Sequence, residues 1–340
     1  MPNLDDMTGV LVRPLQLLRA RPRNTLDRLV AYEGFTREEL FPAPSGLPRV
    51  RTRDRWSLPG FDNEDLSFAS LHEPIEPLFR EHYHARSRRI QTVYARRIRP
   101  KGTAGRPRLL YIHGYMQPET VIEEHGLLSA MARSLDMEIV HLQPPYHGRR
   151  KPRSSPYDGE RYWTADVVRS FEAMRQTILD ARTLLSVMLG ESPGPVGVAG
   201  LSLGGAFAAT LACLEPRFDF SAPLVAHMDM GALLRDAPVL GAMRKDLARF
   251  GWGPGPRAVR LGPPRLRRLL HEDRMGRAST GHPRGPNSAV GRRGRSLLRR
   301  GRPSGDVEPM GRARDPLVPV PHMVSATGHL RRFVNGLSRP

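Results

Sequence analysis

Apolar residues along the middle of the chain follow two alternating patterns, which predict strands separated by helices. Short apolar or alternating runs are typical of strands with a buried face. Apolar residues three and four positions apart are typical of helices that bury one side. The predicted strands are residues 90–98, 109–112, 138–142, 196–199 and 222–226, and the predicted helices are residues 75–86, 123–135, 166–189 and 206–214. This alternation favours an α/β fold with a doubly wound, mostly parallel sheet.

Chemically versatile residues cluster where the predicted strands end. His113 and Gly114 follow one strand, residues 145–147 (Pro-Tyr-His) follow the next, and Ser202 follows a third. In a doubly wound sheet the carboxyl ends of the parallel strands form the usual binding edge. The sequence therefore predicts an active site at this edge.

The motif that organises the chain is the turn at residues 200–204, which reads Gly-Leu-Ser-Leu-Gly. In a G-x-S-x-G turn between a strand and a helix, the serine occupies a strained backbone position and the glycines leave room at a crowded corner. This geometry exposes the Ser202 hydroxyl and places the Leu203 amide at a helix N-terminus, where it can stabilise an anion. A plain tight turn is the alternative for the pentapeptide alone. The strand before it and the helix after it favour a catalytic serine.

Residues 1–75 lack this regular pattern and are predicted to be an N-terminal extension of a main domain at residues 76–340. They are polar and dotted with prolines, and Pro22 divides their apolar positions into two short helical pieces.

Composition narrows the class of protein. The 340 residues are 39% hydrophobic, which is enough for a sizeable core. The single cysteine, Cys213, cannot form an internal disulfide, so we expect a reduced, cytoplasmic protein. The sequence shows neither a signal peptide nor an apolar run long enough to span a membrane. It contains no H-E-x-x-H, paired C-x-x-C or phosphate-loop motif, so no metal or organic cofactor is expected.

The net charge of +19 is concentrated near the end of the chain. Residues 251–340 contain 19 Lys and Arg against 5 Asp and Glu, which is +14 of the total. Residues 276–321 are irregular and hold ten arginines between Arg277 and Arg314. Three explanations compete: a basic disordered tail that binds nucleic acid, a lid, or a frameshifted stretch.

We favour the frameshift, because GC-rich DNA read out of frame encodes amino-acid sequences rich in arginine, glycine and proline. Residues 307–320, back-translated and read one base later, can encode a turn and a buried strand that leads to His322. In that case the polypeptide as written lacks the acidic residue that such a strand would carry.

The order of strand, His113-Gly114, strand, loop, helix, strand, Gly-Leu-Ser-Leu-Gly and helix resembles the α/β-hydrolase superfamily over residues 90–250. The loop at residues 144–152 and the segment at residues 176–182 are similar to an esterase-like bacterial branch. That branch is related to α/β-hydrolase-domain-containing protein eighteen. The resemblance implies an α/β-hydrolase domain in residues 76–340 and a serine hydrolase that cleaves an ester or related acyl bond of a small molecule.

The resemblance also implies roles for individual residues. Ser202 is the expected nucleophile, and the backbone amides of Leu203 and Tyr115 are the expected oxyanion hole, with Met116 a weaker choice than Tyr115. A histidine must accept the serine proton, since a hydroxyl is a poor nucleophile at neutral pH. His322, on a loop before a predicted terminal helix, is the expected base, and His329 is the second choice.

Other histidines near the predicted strand ends have different expected roles. His113 is expected to be structural under the oxyanion loop, and His147 is expected to shape the pocket. His227 lies at the end of the strand that follows the turn.

The catalytic acid is the open point of this assignment. In this fold it normally follows a strand between the serine and the histidine, and residues 276–321 contain no such strand as written. Asp229, at the end of the strand after the serine turn, is the candidate that remains. Its competing role is to cap the next helix.

Two other functions stay open beside the serine hydrolase. One is a catalytically incomplete scaffold with the hydrolase fold, and the other is a nucleic-acid-binding protein that uses its basic tail. The tail lacks interleaved aromatic residues, which disfavours nucleic acid. The basic cluster of residues 149–151 with Arg153, beside the predicted site, either attracts an anionic substrate group or is ordinary surface charge.

Overall fold

The structure, a computed structural model, describes residues 14–102, 105–118 and 122–252, and a seven-stranded sheet forms its centre. The strands are β1 (Arg51–Arg55), β2 (Phe61–Ala69), β3 (Thr92–Pro100), β4 (Arg108–Ile112), β5 (Glu138–Gln143), β6 (Val196–Leu201) and β7 (Phe220–Leu224). The helices are α1 (Arg37–Leu40), α2 (Pro77–Arg86), α3 (Ser129–Ser134), α4 (Val167–Glu191), α5 (Leu203–Leu214), α6 (Met230–Asp236) and α7 (Gly241–Arg249). Short 3₁₀ turns cover Leu26–Tyr32, Gly148–Arg150 and Pro238–Leu240, and a π-helical turn covers Ile122–Leu128.

The sheet has the strand order β1-β2-β3-β5-β4-β6-β7. Strand β4 is parallel to β5 and β6, and β6 is parallel to β7, whereas β1, β2, β3 and β5 pair antiparallel in succession. Five of the seven strands therefore run in one direction, which confirms the predicted α/β fold with a mostly parallel sheet. In the register, Ile112 lies opposite both Leu142 and Gly200, so the ends of β4, β5 and β6 lie side by side.

Apolar residues cover both faces of the sheet, because successive residues of a strand point to opposite sides. Leu110 and Ile112 of β4 belong to the larger apolar cluster, while Leu109 and Tyr111 belong to the smaller one. Strand β4 is thus buried on both faces, as its continuous apolar sequence predicts.

Strands β1 and β2 lie within residues 1–75 and were not predicted from the sequence. Four of the five β1 residues and three of the nine β2 residues are charged, and β1 is mostly exposed at the edge of the sheet. Their charges are paired across strands: Asp65 of β2 accepts from Arg96 of β3 at 3.2 Å and lies 3.4 Å from Arg55 of β1. Such ladders hide the strand pattern, because ion pairs replace the apolar alternation that marks a strand.

Helix α4 buries polar side chains against the N-terminal part of the chain. Glu172 accepts hydrogen bonds from the Tyr32 hydroxyl at 2.7 Å and from the Ile75 amide at 2.8 Å, and it lies 3.2 Å from His72. Burial opposes ionisation of the Glu172 carboxyl, but His72 and Arg175 outweigh it and lower its pKa to about 2. An anionic Glu172 therefore ties the segments around residues 32 and 75 to α4.

A second buried pair fixes the loop that follows β5. Arg150 lies 2.8 Å from Asp180 of α4, and both side chains are at most 1% exposed. Arg150 also donates to the carbonyl oxygens of Gln143 at 3.0 Å and Ile90 at 2.6 Å, and Ser70 donates to Asp180 at 2.5 Å. Burial raises the pKa of the Asp180 carboxyl, and the Arg150 charge opposes that rise. The end of β5, the start of β3 and α4 are thus held by one buried cluster.

We predict that replacing Asp180 by asparagine lowers the free energy of unfolding by about 3–5 kcal/mol, because it leaves the Arg150 charge buried and unpaired. Urea unfolding at neutral pH measures this loss. Glu38→Gln is the matched control, since Glu38 pairs with Arg37 on the surface and its replacement should leave the unfolding free energy nearly unchanged. Equal effects of the two substitutions would contradict the assigned role of the buried pair.

Candidate active site

Ser202 occupies a strained turn between β6 and α5. Its backbone has φ 54° and ψ −110°, a conformation that costs a non-glycine residue about 1–3 kcal/mol. The Ser202 amide donates to the carbonyl of Leu224 at 2.9 Å, and its carbonyl accepts from the Ala206 amide at 3.0 Å. The neighbouring strand and the first turn of the helix therefore keep Ser202 in this strained conformation. Its side chain is half-buried.

Three glycines make this turn sterically possible. A Cβ on Gly204 would overlap the carbonyl of Ile112, and one on Gly200 would overlap the carbonyl of Gly204. A Cβ on Gly205 would overlap the carbonyl of Leu224. Because every obstacle is backbone, no side-chain rearrangement can relieve these overlaps.

The loop after β4 lies against the serine turn. A Cβ placed on Gly114 would lie 3.8 Å from the Cβ of Ser202 and 3.5 Å from the carbonyl oxygen of Leu201. Tyr115 is the next residue, so its amide is close to the serine. On the other side, Leu203 is the first residue of α5, and its amide has no acceptor within the helix. Gly114, the residue before Tyr115, and Leu203 thus lie next to Ser202, and the oxyanion-hole role of the Tyr115 and Leu203 amides stays a prediction.

Side chains hold the amides on either side of Tyr115. The Gly114 amide donates to the Gln117 side-chain oxygen at 3.0 Å, and the Met116 amide donates to His147 Nε2 at 3.3 Å. Sequence reasoning missed both contacts. The position of a residue at a strand end predicts that it lies near the site, but it does not predict which amide its side chain accepts from.

Three histidines from neighbouring strand ends pack edge to face under this loop. The ring of His113 lies 5.4 Å from that of His141 and 4.9 Å from that of His147. Burial, followed by the proximity of His113, holds the pKa values of His141 and His147 well below the usual range. Both rings are therefore weak proton acceptors, which fits a supporting role better than that of the base.

Asp229 caps helix α6. Its Oδ1 accepts from the Ala232 amide at 2.9 Å, and the residue is exposed. This is the competing role that the sequence offered, and a catalytic role for Asp229 stays a prediction. His227 is exposed as well. His322, His329 and the irregular residues 276–321 lie outside the described residues.

Of the basic residues beside the predicted site, Arg150 fits neither role suggested from the sequence, because it is buried and lies 2.8 Å from Asp180. Arg149 lies 2.7 Å from Asp65, Lys151 lies 3.6 Å from Asp158, and both are partly exposed. Arg153 is exposed.

A small cavity of about 10 Å³, room for about one water molecule, lies beside the Tyr115 side chain. Its lining includes the aromatic residues Tyr115, Tyr157 and Trp163 and the charged residues Arg19 and Asp246. Arg19 and Asp246 form an ion pair at 2.8 Å, so they neutralise each other.

Across residues 14–102, 105–118 and 122–252, no three His, Cys, Asp or Glu side chains are placed to hold a metal ion. In the same residues, no helix is long and apolar enough to cross a membrane.

Residues 29–233 match the family model of alpha/beta hydrolase domain containing 18. The chain belongs to this family. The match covers more than half of the chain, and it includes Ser202, Asp229 and both buried ion-pair clusters. It confirms the resemblance that the strand-end motifs indicated. No curated protein sequence matches the chain.

Several solved esterase structures are similar to the chain at low identity. Acetyl xylan esterase 1 from Thermoanaerobacterium sp. is 17% identical over 61% of this chain and 60% of its own, with a TM-score of 0.38. A cold-adapted esterase from an Arctic intertidal metagenomic library is 15% identical over 50% of this chain and 62% of its own, with a TM-score of 0.36. The rice cell wall degrading esterase LipA from Xanthomonas oryzae is 15% identical over 57% of this chain and 54% of its own, with a TM-score of 0.33. The chain thus spans about three fifths of the first two structures.

We predict that Gly204→Ala prevents the native serine turn, because its Cβ would occupy the position of the Ile112 carbonyl. The expected result is loss of the cooperative unfolding transition or a fall of several kcal/mol in the unfolding free energy. Gly190→Ala in α4 is the matched control, since its Cβ would meet only the Leu47 side chain at an ordinary 3.7 Å. Alanine there should stabilise by about 0.5–1 kcal/mol. A stable Gly204→Ala protein would show that the turn differs from the one described.

Proposed function

We propose that the protein is a serine hydrolase that cleaves an ester or related acyl bond of a small molecule, with Ser202 as the nucleophile. The observation that carries the proposal is the backbone of Ser202, which has a φ of 54° at the N-terminus of α5. Membership of an α/β-hydrolase family supports the same reaction class. In this turn the hydroxyl leaves the crowded backbone and can reach an acyl carbon.

The proposed reaction has two stages. Ser202 Oγ attacks the acyl carbon, its proton passes to a histidine, and the alcohol leaves with that proton. Water then attacks the acyl-enzyme by the same route and releases the acid. Both stages pass through a tetrahedral oxyanion that needs hydrogen-bond donors about 3 Å away.

The amides of Leu203 and Tyr115 are the proposed donors. The Leu203 amide begins α5, so the helix dipole adds to its hydrogen bond. The engagement of the Met116 amide by His147 at 3.3 Å supports Tyr115 rather than Met116 as the second donor.

His322 is the proposed base and Asp229 the proposed acid, both on their positions in the sequence. His113, His141 and His147 are less suitable as bases, because all three are buried. Asp229 remains available in part, since the helix cap uses only its Oδ1 in the hydrogen bonds described.

A catalytically incomplete scaffold is the second candidate. The observation that favours it is the position of Asp229, whose carboxylate is exposed and caps α6.

We predict that a fluorophosphonate probe labels the full-length protein at Ser202 and that Ser202→Ala abolishes the labelling. The probe reacts only with a serine whose hydroxyl is activated and accessible. In-gel fluorescence, followed by mass spectrometry of the modified peptide, measures the outcome. Ser154→Ala, an exposed serine elsewhere on the surface, is the control and should label as the parent protein does. An absence of labelling in folded protein would favour the scaffold.

We predict that Asp229→Asn separates capping from catalysis. Asparagine caps helices about as well as aspartate, so the unfolding free energy should change by less than about 0.5 kcal/mol. If Asp229 orients the base, kcat for a small activated ester should fall on the order of 10²- to 10⁴-fold. An unchanged kcat in protein that still labels at Ser202 would leave Asp229 as a helix cap alone.

A further inference from the structure

His147 joins two loops that meet beside the serine turn. His147 lies in the loop after β5. It accepts a hydrogen bond from the amide of Met116, which belongs to the loop after β4. Met116 has a φ of 61°, in the left-handed region that residues other than glycine rarely occupy. Such a conformation persists only where the surroundings enforce it. The hydrogen bond to His147 at 3.3 Å is one contact that holds it.

The hydrogen bonds of His147 define its tautomer. Nδ1 lies 3.0 Å from the carbonyl oxygen of Pro145, which can only accept, so Nδ1 carries the proton. Nε2 faces the Met116 amide, which can only donate, so Nε2 is unprotonated. Both contacts are satisfied together by one neutral form of the ring.

The surroundings keep the ring in this position. His147 is fully buried, and a Cβ on Gly159 would lie 2.5 Å from its Nε2 and 3.0 Å from the Tyr115 ring. The Gly159 amide donates to the carbonyl of Tyr146 at 2.9 Å, which brings this segment against the loop. The buried pair of Arg150 and Asp180 anchors the same loop three residues further on.

We propose that His147 is a positioning residue for the oxyanion hole: its neutral, Nδ1-protonated ring holds the Met116 amide and so orients the Tyr115 amide towards Ser202. The proposal rests on the proposed function, because it needs an oxyanion at Ser202. The protonation state of the ring, however, does not depend on activity. His147 touches neither of the reacting atoms and acts through the Tyr115–Met116 backbone.

The tautomer is measured first, on the full-length protein without substitutions. Long-range ¹H–¹⁵N correlation spectra of histidine-labelled protein at pH 7.5 distinguish a protonated from an unprotonated ring nitrogen. The expected result for His147 is a protonated Nδ1 and an unprotonated Nε2. A protonated Nε2, alone or in a charged ring, would overturn the proposal whether or not the protein is a hydrolase.

Two substitutions then separate the two hydrogen bonds. His147→Gln can place an amide oxygen where Nε2 was and so keep the acceptor for Met116. His147→Asn can place a donor where Nδ1 was and so keep only the bond to Pro145. 4-Nitrophenyl acetate hydrolysis gives kcat and KM for each, and fluorophosphonate labelling gives the rate at Ser202.

The expected result is that His147→Asn lowers kcat and the labelling rate by about 10- to 100-fold with little change in KM. Loss of an oxyanion donor itself costs about 10²- to 10³-fold, and the oxyanion forms only in the transition state. His147→Gln should recover most of the rate. A better rate for His147→Asn than for His147→Gln, or equal losses in both, would overturn the proposal and leave His147 as part of the fold alone.

His141→Gln is the matched control for the loss of a buried ring. His141 packs on His113 from β5 and has no hydrogen bond to the oxyanion loop among the contacts described. The His141→Gln substitution should lower the free energy of unfolding without a selective loss of kcat. If the parent protein does not label at Ser202, the proposed function fails, and the spectra still decide the state of His147.

Discussion

The close approach of the β4 end to the serine turn is the constraint on which the rest of the site depends. Strand β6 can turn into α5 only because Gly200, Gly204 and Gly205 carry no side chain where the carbonyls of β4 and β7 pass. The same packing that forces Ser202 to a positive φ brings Gly114 against it. Ser202, the proposed nucleophile, and the loop that carries the proposed Tyr115 donor therefore belong to one packing arrangement.

Buried charges give this arrangement its support. Glu172 and Asp180 of α4 bind the N-terminal segment and the loop after β5 through His72, Arg150 and several backbone groups. Such pairs contribute little net stability over an apolar core, but removing one partner is costly. His147, which accepts a hydrogen bond from the Met116 amide, lies in the loop that Arg150 anchors, so this buried network also supports the loop that carries the proposed oxyanion donor.

Much of the fold could be predicted, because β4, β5 and α4 have apolar residues at clear strand or helix spacings. The serine turn also carries the G-x-S-x-G motif. Strands β1 and β2 could not, since their ion-pair ladders replace the apolar alternation. The histidines at the strand ends were placed near the site by topology alone. Their partners could not be predicted, because a bond such as that from Met116 to His147 depends on loop conformations with positive φ.

The most direct test of the account is a crystal structure of the protein after reaction with a fluorophosphonate. We expect a phosphorus atom bonded to Ser202 Oγ, with the phosphoryl oxygen accepting hydrogen bonds from the amides of Leu203 and Tyr115. The Met116 amide should still donate to His147. An adduct on another residue, or a phosphoryl oxygen bound by Met116 instead of Tyr115, would contradict the assignment of the site.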